Sequence, residues 1–418
     1  MSGSETTGPD LSLTERSVVL GIETSCDETA AAVVGGGEVI RSSVVASQED
    51  LHARFGGIVP EVASRKHVEL LPLIVEQALT QAGVSWEDLE AIAVTHGPGL
   101  VGSLIVGVAA AKAYAMSAGL PLVGVNHLEA HVHAVFLREP DGVTPFAESG
   151  ADFPLVCLVA SGGHSDLLRV PRLGEYELLG CARDDAPGEA FDKAARLLGL
   201  GYPGGPAIER AAGGGDARRV ELPRPVVKDS LDFSFSGLKT ALKRQEIGDR
   251  SQETGERRTA RHGEGDGGHR VRARVRAIPG RQRRADEGVR APTATTCGQD
   301  VRAPGTARVS AVPTTADLAA AFQAAVVDTL VRNTMEAVER VGARGVVLSG
   351  GVAANTRLRE VMAEEAARRG VPFAVAPREL CTDNAAMVAA AGYHVLGRRG
   401  PDGLGLDVFS TLPLGERR

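Results

Sequence analysis

The residues best suited to chemistry in this chain are two histidines four positions apart, His127 and His131, in the run Asn126-His-Leu-Glu-Ala-His-Val-His133. If that run is helical, a four-residue step stacks the two imidazoles one turn apart on a single face. Two neutral imidazoles so placed suit a borderline divalent ion such as zinc or Fe(II), and they leave its coordination short of at least one ligand. A carboxylate from elsewhere must complete the set, and Asp383, in Leu380-Cys-Thr-Asp-Asn-Ala-Ala-Met387, is the candidate. Histidines at this spacing also occur as ordinary surface or core residues, so the pair alone leaves both uses open. Geometry argues against a zinc-peptidase helix of the His-Glu-x-x-His type. Glu129 follows His127 by two residues, about 200° around the helix, and faces away from a metal held by the histidines.

Other chemistry-bearing residues sit in turns. Glu23-Thr-Ser-Cys-Asp-Glu-Thr29 lies between two β-branched or small apolar runs, and reads as a hairpin turn carrying hydroxyls and acids. Such a turn can hold a phosphate or a metal-bound ligand, and it can equally be a solvated tip. Ser161-Gly-Gly-His164 breaks a buried strand-like run in the same way; its two glycines let backbone N–H groups approach a ligand closely. Gly350-Gly-Val-Ala-Ala-Asn355 follows the strand-like run Gly345-Val-Val-Leu-Ser349, and offers backbone and an amide to a nucleoside. The acids of Asp184-Asp-Ala-Pro-Gly-Glu-Ala-Phe-Asp192, and Glu209 on a following helix, serve equally well as helix caps or as ligand contacts.

These residues need a scaffold that alternates strands and helices. Strands are expected at 18–22, 30–34, 91–95, 122–125, 154–160, 165–170, 345–349 and 373–376. Helices are expected over 61–81, after the Gly-rich loop 96–103, to residue 200, around Glu209, and from a cap at Thr315-Ala-Asp317 through residue 340. Two similar hairpins, each opening a series of strands and helices, predict a duplicated α/β architecture with a ligand cleft between the halves. The loop at 96–103 lacks the Gly-Lys-Ser/Thr ending of a P-loop.

Composition sets the outer bounds. With 418 residues and 43% hydrophobic content, the chain can bury a large core as one two-lobed unit or two domains. Residues 1–16 are polar and carry no apolar signal-peptide core. The nearest approach to a membrane span, 100–122, is interrupted by Ser103, Lys112, Ser117 and Pro121. A cytoplasmic location is expected. The five scattered cysteines, without a Cys-x-x-Cys pair, suit reduced thiols. A net charge of −7 argues against nucleic-acid binding by overall field and leaves a local basic patch open. From 244 to 312 the sequence turns rich in Arg, Gly, Thr and Pro with little apolar periodicity, and it reads as a disordered insertion. Contact with RNA, a tolerated surface loop and a frame error in the source sequence all fit that composition.

Taken together, residues 21–29, 55–67, 95–107, 126–131, 161–164, 184–205, 232–240, 349–355 and 380–387 resemble, in order, the tRNA threonylcarbamoyladenosine transferase family, TsaD in bacteria, once misnamed a glycoprotease. The resemblance covers the chain apart from its tails and the Arg-rich insertion. It implies an actin-like ATPase (ASKHA) fold of two RNase H-like lobes around a nucleotide cleft. The expected organisation is a tail at 1–16, a first lobe at 17–125, and a second lobe at 126–412 that contains the insertion, with a C-terminal helix able to return to the first lobe. It also implies transfer of a threonylcarbamoyl group from threonylcarbamoyl-AMP to N6 of the adenosine 3′ of the anticodon, in tRNAs reading ANN codons. Carried over by motif, His127, His131 and Asp383 bind one divalent metal, with Fe(II) favoured and zinc suited to the same ligands. Ala160, Ser161, Gly162, Gly163, His164, Asp192, Gly205, Glu209 and Asn355 bind substrate. Asp27 and Glu28 are candidates for the base that assists the weakly nucleophilic adenine amine. The implied partners are tRNA, the actin-like paralogue TsaB, the P-loop ATPase TsaE and the adenylate-forming enzyme TsaC. Ala160 stands where the family usually has Val, and Ser165 where Thr is common; both are small changes at a backbone-driven site. The competing readings are a non-catalytic actin-like scaffold and a small-molecule kinase or ATPase of the same fold.

Overall fold

Two mixed sheets with the same strand order organise the protein. In the first, β1 (Val18–Glu23), β2 (Glu28–Gly35) and β3 (Val39–Ser47) form an antiparallel meander, and β4 (Ala91–Gly97) and β5 (Leu122–Asn126) extend it in parallel from β1, giving the order β3-β2-β1-β4-β5. In the second, β6 (Leu155–Ala160), β7 (Ser165–Arg172) and β8 (Glu175–Cys181) form the meander. From β6, β9 (Gly345–Ser349) and β10 (Phe373–Val375) extend in parallel, and β11 (Glu416–Arg417) adds to β8. Without β11, the second sheet repeats the first strand for strand. This is the duplicated α/β architecture of the actin-like ATPase fold. The computed structural model describes residues 13–245 and 312–417. Most of the expected tail at 1–16 and of the expected insertion at 244–312 lies outside the described residues.

Burial explains the strand sequences. Every residue of β1 and β6 is buried, as central strands covered on both faces require. The edge strand β3 alternates instead, with Ile40, Ser42 and Val44 inward and Arg41, Ser43 and Val45 outward. The helices cover the sheets: α1 (Glu49–Ala53), α2 (Pro60–Ala82), α3 (Val101–Ala118), α4 (His127–His133), α5 (Pro145–Ser149), α6 (Pro187–Leu198), α7 (Gly204–Ala212), α8 (236–245), α9 (Thr315–Val341), α10 (Thr356–Arg369) and α11 (Ala385–Arg399). Of these, α2 packs on β2 and β3, and α3 on β4. The central helix of the second half is α9, against α6, α7, α10 and β6. Helix α3 is long and apolar enough to cross a membrane by length and composition; here one face lies on β4 and on α2.

One local reading is corrected. The α9 cap is Thr314, one residue earlier than read. Its hydroxyl accepts the Asp317 N–H at 3.2 Å while the Asp317 carboxylate accepts the Thr314 N–H at 2.9 Å, a reciprocal box that only this register closes. On α2, Val62 and Leu70 are only half-buried. The inward face is Ala63, His67, Leu71, Ile74, Val75, Ala78 and Leu79, whereas Val68 and Leu73 point out.

The placement of α11 matters most for the site. Although it follows the second sheet in sequence, it packs on β1, β2, β4, β5 and α4. Close approach is possible because of Gly21 on β1, where a Cβ would lie 2.2 Å from the Ala385 carbonyl oxygen and 2.7 Å from the Ala389 nitrogen. The run Ala385–Ala391 is wholly buried at this contact. The N-terminal end of α11 is thereby set beside the C-terminal end of β1 and beside α4.

Candidate functional site

Helix α4 starts where β5 ends, and Asn126 fixes the transition. Its side-chain oxygen accepts the N–H groups of Leu128 (2.9 Å) and Glu129 (3.4 Å), and its amide donates to the Leu412 carbonyl at 2.9 Å. All seven residues of α4 are buried. The rings of His127 and His131 meet edge to face with centroids 4.7 Å apart. Asp383 enters from the loop before α11, where Asn384 caps the helix through the Met387 N–H at 3.0 Å. Its Oδ1 lies 3.4 Å from His127 Nε2 and 3.3 Å from His131 Nε2, and one ligating atom from each of the three residues falls within 4.8 Å of the others.

A second layer orients this cluster. Glu23, at the end of β1 and fully buried, approaches His127 Nδ1 at 3.1 Å with Oε2. The same oxygen accepts from Thr95 Oγ1 at 2.7 Å, and Oε1 accepts the Ser25 N–H at 2.5 Å. A carboxylate on Nδ1 leaves Nε2 of His127 free to face outward as a ligand. His131 is anchored through its backbone, its carbonyl accepting from Ser349 Oγ at 2.6 Å. Among the described residues, neither buried ring nitrogen of His131 makes a well-formed hydrogen bond, Nε2 having only the 3.3 Å approach of Asp383, a costly arrangement unless something else satisfies it.

The electrostatics point the same way. Burial raises the Asp383 carboxyl, but the charge of His127 and contacts with both imidazoles outweigh it and hold the group far below the usual carboxylate range. Burial lowers His127, yet Asp383 and Glu23 pull it well above its ordinary value. For His131 burial prevails and the ring is held low. Two buried carboxylates and one charged imidazole carry net negative charge; a divalent cation bound by neutral imidazoles would neutralise the group. The donor set of two imidazoles and one carboxylate fits Fe(II) or zinc and leaves positions for further ligands.

Glu129 lies on the far side of α4. It accepts from Arg398 Nη2 at 2.7 Å and from the Tyr176 hydroxyl at 3.2 Å, tying α4 to α11 and β8. It faces away from the histidine pair, as its spacing predicts.

Of the other sequence-selected residues, His164 stands near the cluster, and the rest are placed by contacts of their own. Ala160 ends β6, buried, and Gly350, at φ 90°, passes so close that a Cβ there would lie 2.4 Å from the Ala160 carbonyl oxygen. Ser161 to His164 form a tight turn closed by the Ser161 N–H to the His164 carbonyl at 2.8 Å. Gly162 and Gly163 are exposed, with open space where a Cβ would stand. The His164 ring is pushed down to about 4 by burial and by the nearby charges of His127 and His131, so it is neutral. Asp192 accepts the Gly204 N–H at 2.7 Å, and Gly205 beside it faces open space. Glu209 accepts the Thr356 N–H at 2.9 Å. Asn355 caps α10 through the Leu358 N–H at 3.0 Å and donates to Gln323 at 3.0 Å. Its amide is therefore partly committed inside the protein, with one N–H and one lone pair to offer a ligand.

On the turn after β1, Glu28 lies within electrostatic reach of Asp383, and Asp27 within reach of Asp192. Burial, then Asp383 and Asp27, push the Glu28 carboxyl up to about 10. Burial, then the charges of Asp27 and Asp192, raise the Tyr202 phenol. Sequence reading named Glu23 and Ser25 only within a turn able to hold a ligand, and gave Thr95, Tyr202 and Ser349 no role of their own. Glu23 meets Thr95 and His127 across 72 and 104 residues, so no local spacing marks it.

Comparison with known proteins places the chain in one family. A sequence model of the family described as tRNA N6-adenosine threonylcarbamoyltransferase matches residues 39–390. Among curated proteins of that name, the one from Symbiobacterium thermophilum is 46% identical over 398 residues, covering 95% of this chain and 97% of the relative. That from Geobacter metallireducens is 44% identical over the same shares. Among solved structures, HypF from T. kodakarensis superposes with a TM-score of 0.53 at 14% identity, over 92% of this chain and 49% of its own. Full-length HypF in a phosphate- and nucleotide-bound form gives 0.52 at 13%, over 93% and 48%. At such identities these structures speak to the fold alone.

Proposed function

The chain belongs to the tRNA N6-adenosine threonylcarbamoyltransferase family, and from that premise we propose how its site performs the transfer. The enzyme is an acyltransferase that moves a threonylcarbamoyl group to N6 of an adenosine in tRNA. The donor is threonylcarbamoyl-AMP, and the acceptor is the adenosine 3′ of the anticodon in tRNAs reading ANN codons. N6 attacks the carbamoyl carbon, a C–N bond forms, the C–O bond to phosphate breaks, AMP leaves, and N6 loses one proton.

His127, His131 and Asp383 hold one divalent ion, Fe(II) in preference to zinc. When bound, that ion supplies a Lewis acid beside the donor. Glu23 fixes the His127 ring so that Nε2 remains directed into the cluster. The Ser161–His164 turn offers backbone N–H groups at Gly162 and Gly163 to the phosphate, where negative charge grows as AMP departs. Ala160, Asp192, Gly205, Glu209 and Asn355 line the nucleotide and acyl positions. A carboxylate of this pair, Asp27 or Glu28, accepts the proton from N6. The actin-like paralogue TsaB, the ATPase TsaE and the adenylate-forming TsaC act with this chain, in the cytoplasm. A scaffold or kinase reading is not favoured, since the relatives bear the transferase name and a Mg–ATP site has no need of a two-histidine cluster.

The observation that carries this reading is the convergence of His127, His131 and Asp383 in a chain matched to the family over 39–390. Elemental analysis of the purified protein tests it together with its His131→Ala and Asp383→Ala variants. Near-stoichiometric metal in the wild type and its loss in both folded variants are expected. Equal metal content in all three overturns the ligand assignment.

A further inference from the structure

The turn that presents Asp27 and Glu28 is held from behind by a buried histidine on α2, and we propose that His67 is a positioning residue for those two side chains. The inference rests on the role given above to Asp27 and Glu28.

Three consecutive carbonyls of this turn are each held by a different part of the protein. The Ser25 carbonyl accepts the Leu100 N–H at 2.8 Å, and the Asp27 carbonyl accepts the Gln48 N–H at 3.0 Å. The Cys26 carbonyl, between them, lies 3.0 Å from His67 Nε2. A carbonyl can only accept, so Nε2 carries the proton and Nδ1 is the acceptor. Thr29 Oγ1, 2.8 Å from Nδ1, donates to it, and Gln48 Nε2 is 3.4 Å from the same atom. Burial holds the ring below its usual value, which keeps it in this neutral form.

One fully buried ring thus spans the turn, gripping Cys26 at one end and Thr29 at the other. The two residues between them carry the carboxylates. Of the three carbonyl anchors, only that on Cys26 comes from a side chain, so it alone can be removed by substitution. His67 touches neither the metal ligands nor the substrate-facing turn at Ser161. Its effect is exerted through the backbone on where Asp27 and Glu28 stand. Misplacement by about 1 Å of a group acting on the transition state costs on the order of 100-fold.

The test measures kcat and KM for tRNA in threonylcarbamoyl transfer by the full chain with its partner proteins. His67→Leu, which keeps bulk and removes both hydrogen bonds, should lower kcat by about 10- to 100-fold with metal content and KM for tRNA unchanged. His67→Gln, which restores a donor near Nε2, should recover most of that loss. Thr29→Val, which removes the other grip while preserving shape, should lower kcat in the same direction, and it stands in if His67→Leu does not fold. In an Asp27→Asn, Glu28→Gln background, His67→Leu should cost little more, since residues acting as a unit are not additive. If the carboxylate double variant loses kcat while His67→Leu acts additively on it, or does not lower kcat at all, the positioning proposal is overturned alone. A carboxylate double variant with wild-type kcat overturns the role of Asp27 and Glu28 instead, and the positioning proposal with it.

Discussion

Replacing Glu23 by Gln keeps the shape of the residue behind the metal cluster and removes its charge, and the consequence can be worked from its contacts. One carboxylate accepts at 3.1 Å from His127 Nδ1, at 2.7 Å from Thr95 and at 2.5 Å from the Ser25 N–H. Its neighbours all donate, so every orientation of a Gln amide turns an N–H group toward a donor. Either the Ser25 side or the His127 and Thr95 side loses its acceptor. If the His127 side loses it, Nδ1 keeps only the Ser25 hydroxyl at 3.3 Å, and Nε2 is held less firmly toward Asp383. Outer-shell partners of this kind are worth about 10- to 100-fold in metal affinity, or about 1.4–2.7 kcal/mol. Competition of Glu23→Gln and wild type against a chelator of known strength, with the added metal followed directly, measures the difference without recourse to catalysis. Folding is checked on the same samples by circular dichroism. A folded variant with wild-type metal affinity would show that Glu23 does not orient His127, and the two-layer description of the site would fail.

Other consequences can be checked on the same footing. Gly21→Ala drives a Cβ into the Ala385 carbonyl and should destabilise the fold by about 1–3 kcal/mol, read as a lower denaturation midpoint. Arg398→Ala leaves the buried Glu129 carboxylate with Tyr176 as its named partner. Because Arg398 is itself 40% exposed, the loss should be modest, about 1–2 kcal/mol by urea denaturation. Thr314→Ala opens the α9 capping box and should cost about 0.5–2 kcal/mol without changing metal content. Since burial depresses the folded-state value of His67, the unfolded chain binds more protons as pH falls below its own value of about 6.5. This contribution is present above that pH and is lost below it. Thermal unfolding of the chelated protein should show a steeper loss between about pH 7 and pH 5 in wild type than in His67→Gln.

How much of this was legible in the sequence depended on how local each feature is. The strands at 18–22, 122–125 and 345–349, the α4 helix and the orientation of Glu129 follow from runs and periods within one element. The duplication followed from two hairpins of similar form. The Thr314 cap was misplaced by one residue because two adjacent threonines offer the same chemistry, and only the closed hydrogen-bond box distinguishes them. Glu23 was named within its turn, but its role behind His127 was hidden for a different reason: its partners belong to β4 and α4, and their approach depends on the parallel pairing of β1 with β4. Asp383 was identifiable as a carboxylate in search of a site, but what carries it to α4 is the packing of the alanines of α11 on Gly21 of β1. The extra commitments of Asn355 could not be foreseen, because Gln323 sits on a helix distant in sequence.

The most direct measurement is nucleoside mass spectrometry of unmodified tRNA after incubation with the purified chain, its partner proteins and threonylcarbamoyl-AMP. The account predicts threonylcarbamoyl-adenosine beside the anticodon with wild type, and none with folded His131→Ala or Asp383→Ala. Modification undiminished in those variants would contradict the metal-centred site, and intact, metal-loaded wild type that leaves the tRNA unmodified would contradict the activity itself.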